Sequence, residues 1–250
     1  MRNLPVHRSI LAVDIERSTG ALRTNPIKAE LRGHVYRVLH QALTFTGISP
    51  EHVDPFEDGG DSVLALIHPV DDVPKTYLLS RFIPELSRLL TNYNAGLSPA
   101  DRPSRELRLR AVVHAGEVHL DGNGYFGEEL DVACRLLNAP RFKRFLKGAP
   151  GPLALIVSDD IHRAIVKHEY DGIRLDAFLP QVRVHVSGRR RQGWVHLPDG
   201  ASTPMLVGGA GPYGGKPFKR AARAAGSPHG QVRPMSRAWP APTSARAADL

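Results

Sequence analysis

The chain has 250 residues, 42% of them apolar and 23% charged, with a formal net charge of +8 at neutral pH. That composition excludes a collagen-like, disulfide-framed or wholly disordered chain, and the one cysteine, Cys134, cannot close an internal disulfide. No apolar run approaches the roughly 18 residues a bilayer crossing needs, and the short one near the N-terminus is broken by Asp14, so the expected location is cytoplasmic.

In chain order, residues 9–15 (SILAVDI) form a short apolar, β-branched run ending in polar residues, which predicts a buried strand. Pro26 opens a helix. Leu31, Val35, Val38, Leu39, Ala42 and Leu43 recur at helical spacing, and Gly47 and Pro50 end it. Two short strands follow at 52–56 and 61–68, joined by Glu57-Asp58-Gly59-Gly60 as a hairpin turn. Pro74 opens a second helix with Leu78, Leu79, Phe82, Leu86, Leu89 and Leu90 along one side. Residues 107–114 alternate as a strand, with Leu109, Ala111 and Val113 facing one way and Arg108 and Arg110 the other. A Gly-rich turn at 121–124 leads into a helix at 128–137. A strand at 153–157, a helix at 159–168 and a closing strand pair at 182–186 and 194–197 complete the folded part.

The order β-α-β-β-α-β predicts an α+β fold, a ferredoxin-like antiparallel sheet with helices packed on one face. In that topology the end of the first strand lies beside the hairpin turn. Asp14 and Asp61, 47 residues apart in sequence, become neighbours. Two bare carboxylates at ~4 Å repel by about 4 kcal/mol at an effective dielectric near 20, and divalent cations relieve that repulsion. Mg²⁺ sites for phosphate chemistry use one or two carboxylates together with substrate phosphates. Two ions about 3.5–4 Å apart activate an attacking hydroxyl and stabilise a leaving oxygen.

The composition shifts at Gly200, which predicts a domain over 1–200 and a disordered tail over 201–250. The tail carries +6 of the net charge and leaves the remainder nearly balanced at +2. No nucleic-acid-binding fold motif accompanies the charge, which favours a solvated segment over a tether to nucleic acid or anionic lipid.

Residues 13–19 (VDIERST) resemble the first metal motif of the class III nucleotidyl cyclases, and Glu57-Asp58-Gly59-Gly60-Asp61 resembles their second. Residues 109–116 (LRAVVHAG) resemble the strand leading to their central turn, and 127–136 (GEELDVACRL) the helix with their transition-state residues. The resemblance spans about residues 7–198 in order and rough spacing. It implies conversion of a nucleoside triphosphate to a 3′,5′-cyclic nucleotide and pyrophosphate, in intracellular signalling. Asp14, Asp61 and the Ile15 carbonyl would hold two Mg²⁺ or Mn²⁺ ions. Backbone amides of Glu16, Arg17, Ser18 and Thr19 would cradle the triphosphate. Arg135 would stabilise the transferring phosphate, with Asp131 beside it. The site would lie between the two protomers of a homodimer.

The pattern also departs from that family. Asp131 stands where the family has Asn, Ser187 where it has a late Lys (with Arg189, Arg190 and Arg191 following), and Arg17 where a small Gly is usual. Glu57 suits guanine, but the partner base-reading position falls on Gly124, which has no side chain. A diguanylate cyclase reading lacks its Glu, since Ser62 follows Asp61. The alternative from another class is a catalytically inactive domain of this fold that binds nucleotide or a protein partner. His114 and His119 are expected as packing or surface residues, and Cys134 as a buried thiol.

Overall fold

Alternating apolar residues gather into one sheet in the computed structural model, which describes residues 4–121 and 123–198; the predicted tail at 201–250 lies outside the described residues. β1 (Val6–Ile15) runs through the middle, paired antiparallel with β3 (Ser62–Ile67) on one side and β4 (Leu109–Asp121) on the other. The short β2 (Glu57–Asp58) edges β3, and β5 (Gly124–Phe126) pairs only with the far end of β4. β6 (Leu153–Ser158) lies parallel to β4, and the hairpin of β7 (Leu179–Val186) and β8 (Arg189–His196) closes the order β2-β3-β1-β4-β6-β8-β7. The expected α+β class and front order hold, with one parallel pair in an otherwise antiparallel sheet.

Period-two alternation sends the residues of β1 to two different cores. Leu11, Val13 and Ile15 face α1 (Asn25–Phe45) and α2 (Ile83–Ala95). The six α1 positions expected from helical spacing are the six that are buried, and a fully buried aliphatic side chain stabilises by about 1.5–3 kcal/mol. Ahead of α2 the backbone widens into a single π turn at Leu78–Phe82. Pro84 explains it: the ring clashes with a carbonyl in the preceding turn, and a wider turn relieves the contact. A single turn, α3 (Arg102–Arg105), leads into β4.

Ile10 and Ala12 face the other way, onto α4 (Glu128–Leu137) and α5 (Pro140–Gly148). The predicted single helical layer is therefore two layers, one on each face. α5, a helix not expected from the sequence, supplies Phe142 and Leu146 to this second core. Further differences are local. The predicted strand at 52–56 is a 3₁₀ turn and one isolated bridge from Val53 to Ile67. The helix predicted at 159–168 is α6 (Asp159–Ala164) followed by 3₁₀ turns. Among the described residues no helix is long and apolar enough to cross a membrane.

Candidate functional site

The register of β1 brings the two acids together. Asp14 stands opposite Ser62 on β3, and the amide of Ile15 donates to the carbonyl of Asp61 at 2.9 Å. Gly60, at φ 85°, takes the left-handed turn that brings Asp61 back to β1. Arg32 of α1 holds the hairpin tip from outside, donating to the Asp58 carboxylate and to the Gly60 carbonyl.

The two carboxylates have different surroundings. Asp61 is exposed and accepts from the Ser18 hydroxyl. Asp14 is buried, and both its oxygens accept from Arg110, its cross-strand neighbour on β4, from Nε at 2.7 Å and Nη2 at 2.6 Å. Burial raises the Asp14 carboxyl above the usual carboxylate range; Arg110 and Lys143 pull it back, and Asp61 adds a smaller upward push. The unscreened repulsion expected from the pair is therefore relieved by a resident guanidinium. Arg110 was expected only to face away from the Leu109 side of β4; it is in fact buried under the second helical layer.

Two clefts meet at Asp61. One, of about 360 Å³, opens between the β2–β3 hairpin and α4, and Asp14, Glu57, Asp61, Arg110, Cys134 and Lys143 are among its walls. Cys134 is exposed there, not buried as expected. Although the residue is exposed, neighbouring atoms partly desolvate its sulfur, and this, with the smaller effect of the Asp131 charge, raises the thiol pKa. The other cleft, of about 290 Å³, lies between the β1–α1 loop and α1, with Ser18, Thr19, Arg23, Lys28 and Arg32 around it.

Of the four residues expected to cradle phosphates, Glu16 is turned away: its amide donates to the Arg108 carbonyl at 2.9 Å and its carboxylate pairs with Arg108 at 3.3 Å. Arg17 adopts φ 56°, the left-handed conformation for which glycine is usual, and stays exposed. Among the described residues, the amides of Arg17, Ser18 and Thr19 donate to no backbone carbonyl. Asp131 and Arg135 lie exposed on α4, outside both clefts, and the Arg135 side chain has no hydrogen bond or ion pair among the described residues. Gly124 begins β5 at φ 127° and lines neither cleft. Ser187 occupies the tip of the β7–β8 hairpin at φ 48°. Arg191 pairs with Glu128 of α4 at 2.6 Å.

The donors around Asp14 and Asp61 are hard oxygens, the chemistry Mg²⁺ and Mn²⁺ take. Asp61 fits such an ion as it stands. Asp14 fits one only in exchange for Arg110, because both its oxygens are occupied.

Some four residues further along β4, about 13 Å by strand rise, sits a polar group that the sequence did not reveal. His114 is fully buried, with Nδ1 2.7 Å from Ser158 Oγ and Nε2 2.6 Å from Glu129 Oε2. Burial lowers its pKa, and Glu129 opposes the shift. His119, by contrast, stacks on Phe126 near the surface, as expected.

No protein-family model and no curated protein sequence matches the chain. Solved structures do. An adenylate/guanylate cyclase/hydrolase from Silicibacter pomeroyi aligns with TM-score 0.53 at 18% identity, over 78% of this chain and 98% of that one. The guanylyl cyclase Cya2 aligns with TM-score 0.53 at 15% identity, over 81% and 97%. The catalytic core of a rhodopsin-guanylyl cyclase of converted specificity, in complex with ATPαS, aligns with TM-score 0.50 at 13% identity, over 77% and 96%. The described part of this chain therefore has the fold of these adenylate/guanylate cyclase structures.

Proposed function

We propose that the protein is a nucleotidyl cyclase of intracellular signalling, converting a nucleoside triphosphate into a 3′,5′-cyclic nucleotide and pyrophosphate at the interface of a homodimer. The observation that carries this reading is the meeting of Asp14 and Asp61 at one end of the β1–β3 pair, on a cleft that Glu57 also lines. In the reaction the ribose 3′-oxygen forms a bond to the α-phosphorus, the bond from that phosphorus to the bridging β-phosphate oxygen breaks, and the hydroxyl proton is lost. Such chemistry depends mostly on positioning and charge neutralisation.

Mg²⁺ or Mn²⁺ bound at Asp61, and at Asp14 once Arg110 turns away, would polarise the hydroxyl and screen the phosphates. The amides of Arg17, Ser18 and Thr19, which donate to no backbone carbonyl among the described residues, would hold phosphate oxygens beside Lys28 and Arg32. Glu57 would accept from two adjacent N–H donors of a base, a pattern guanine presents. Arg135 has no hydrogen bond or ion pair among the described residues and would reach the transferring phosphate of the partner protomer's site, with Asp131 one turn before it.

A second reading, a non-catalytic nucleotide-binding module, is favoured by the Asp14–Arg110 pairing and by a charged Asp131 where the family has Asn. One experiment separates the two. The purified protein is incubated with each of the four nucleoside triphosphates and Mn²⁺, and cyclic product is sought by mass spectrometry. Product from any of them supports the cyclase. Bound nucleotide without product supports the module.

A further inference from the structure

We propose that His114, Glu129 and Asp160 form a structural site for a divalent transition metal, Zn²⁺ above all, separate from the Asp14–Asp61 pair. One ligand atom from each of the three side chains lies within 4.8 Å of the others. They come from three different elements: the middle of β4, the first turn of α4 and the first turn of α6. A neutral imidazole with two carboxylates is a donor set that Zn²⁺ accepts readily, whereas Mg²⁺ prefers an all-oxygen octahedron.

Three features of the surroundings fit a ligating histidine. First, a metal-bound imidazole needs its second nitrogen held by a hydrogen bond that fixes the tautomer. Ser158 Oγ does this at 2.7 Å. Without metal, the Ser158 hydroxyl donates to Nδ1 and Nε2–H donates to Glu129. With metal, Nδ1–H donates to Ser158 and the Nε2 lone pair faces the ion. A hydroxyl serves either arrangement because it both donates and accepts.

Second, β4 has glycine where Glu129 crosses it. A Cβ on Gly116 would lie 2.3 Å from Glu129 Cγ and 2.8 Å from its Cβ. Only the missing side chain lets the Glu129 carboxylate reach the buried ring. Third, each carboxylate divides its oxygens. Glu129 turns Oε2 to His114 and Oε1 toward Arg191 at 3.9 Å. Asp160 gives Oδ1 to Arg163 at 2.5 Å, which leaves Oδ2 to ligate. Glu129 and Asp160 are partly exposed, so the site has an entry from solvent.

A bound ion would clamp α4, which displays Asp131 and Arg135, to the sheet and to α6. The test uses the full, untagged chain stripped by a chelator and titrated calorimetrically with Zn²⁺ alone. The expected result is one ion per chain, no competition from excess Mg²⁺, and a higher melting temperature with the ion bound. Glu129→Gln and Asp160→Asn should each weaken the affinity by roughly 10-fold or more. Both side chains are partly exposed, so the fold should survive, which circular dichroism of the metal-free variants checks. Asp61→Ala should leave Zn²⁺ binding unchanged, which separates this site from the proposed catalytic one. Absence of stoichiometric Zn²⁺ binding would overturn the assignment. So would variants that bind like the parent chain, since the ion would then sit on other histidines.

Discussion

Arg110 closes over Asp14 from the neighbouring strand, with two hydrogen bonds of 2.6–2.7 Å and only 11% and 9% of the two side chains exposed. The pair is a cross-strand register contact, so its geometry is fixed by the same ladder that holds β1 to β4. It means that the acid expected to be free for a metal is already neutralised from within the sheet.

A stability difference between the two acids follows. If the carboxylates merely repelled, losing either would be harmless. Asp14→Ala instead leaves a buried guanidinium unpaired and should cost about 3–5 kcal/mol. Asp61→Ala, at an exposed position, should change stability by no more than about 0.5 kcal/mol. Urea denaturation of the two variants measures this, and equal midpoints would contradict the asymmetry.

Assembly can be read by complementation. Asp61→Ala and Arg135→Ala chains, each inactive alone, should recover part of the activity when mixed, because one of the two sites in a heterodimer keeps both halves. A sedimentation profile showing only monomer, with activity insensitive to dilution, would argue against a shared site.

The pH dependence of stability has a predictable sign at His34. Arg37 donates to its Nδ1 at 3.0 Å, which needs the neutral imidazole, and the ring lies tilted by 38° against Tyr93 with the centroids 4.0 Å apart. Burial first, and then the Arg37 charge, lower its pKa below the ordinary value of about 6.5. Below that value the unfolded chain takes up a proton that the folded chain refuses, so stability falls as pH drops through about 6.5 toward the folded pKa. Melting curves of the parent and His34→Gln between neutral and mildly acid pH should show a shallower loss in the variant.

Gly116→Ala should be disproportionately costly. The added methyl would meet Glu129 near its backbone end, where the side chain cannot swing aside and α4 itself must shift. Overpacking of this kind destabilises by about 1–3 kcal/mol. Thermal unfolding gives the magnitude, and loss of Zn²⁺ binding together with stability would tie the glycine to the His114 cluster.

The basic segment offers a salt test. Removing residues 201–250 takes away +6 of the net charge. Each cation lost from a phosphate contact should lower the slope of log affinity against log salt by about 0.7–0.9. An unchanged slope for a polyanion such as single-stranded RNA would place that binding elsewhere.

Much of the fold was legible in the chain because its signals are local. The α1 residues repeat at helical spacing, so their buried stripe could be named one by one. The Gly59-Gly60-Asp61 turn and the order of elements together brought Asp61 to the end of β1, where the Ile15 amide meets it. What remained hidden depended on contacts between distant segments. Alternation put Arg110 on the face opposite Leu109, but whether that face met water or a second helical layer was decided by where α4 and α5 dock. Cys134 shows the reverse error: its helix is amphipathic, and the docking angle left the sulfur on the cleft wall. His114, Glu129, Ser158 and Asp160 carry no common motif. Only the parallel pairing of β4 with β6, and the packing of α4 across both, closes the sequence gaps between them. Local periodicity determines which residues seek a core; the tertiary structure decides which polar groups are buried with them, because that choice is made by the neighbour across the sheet.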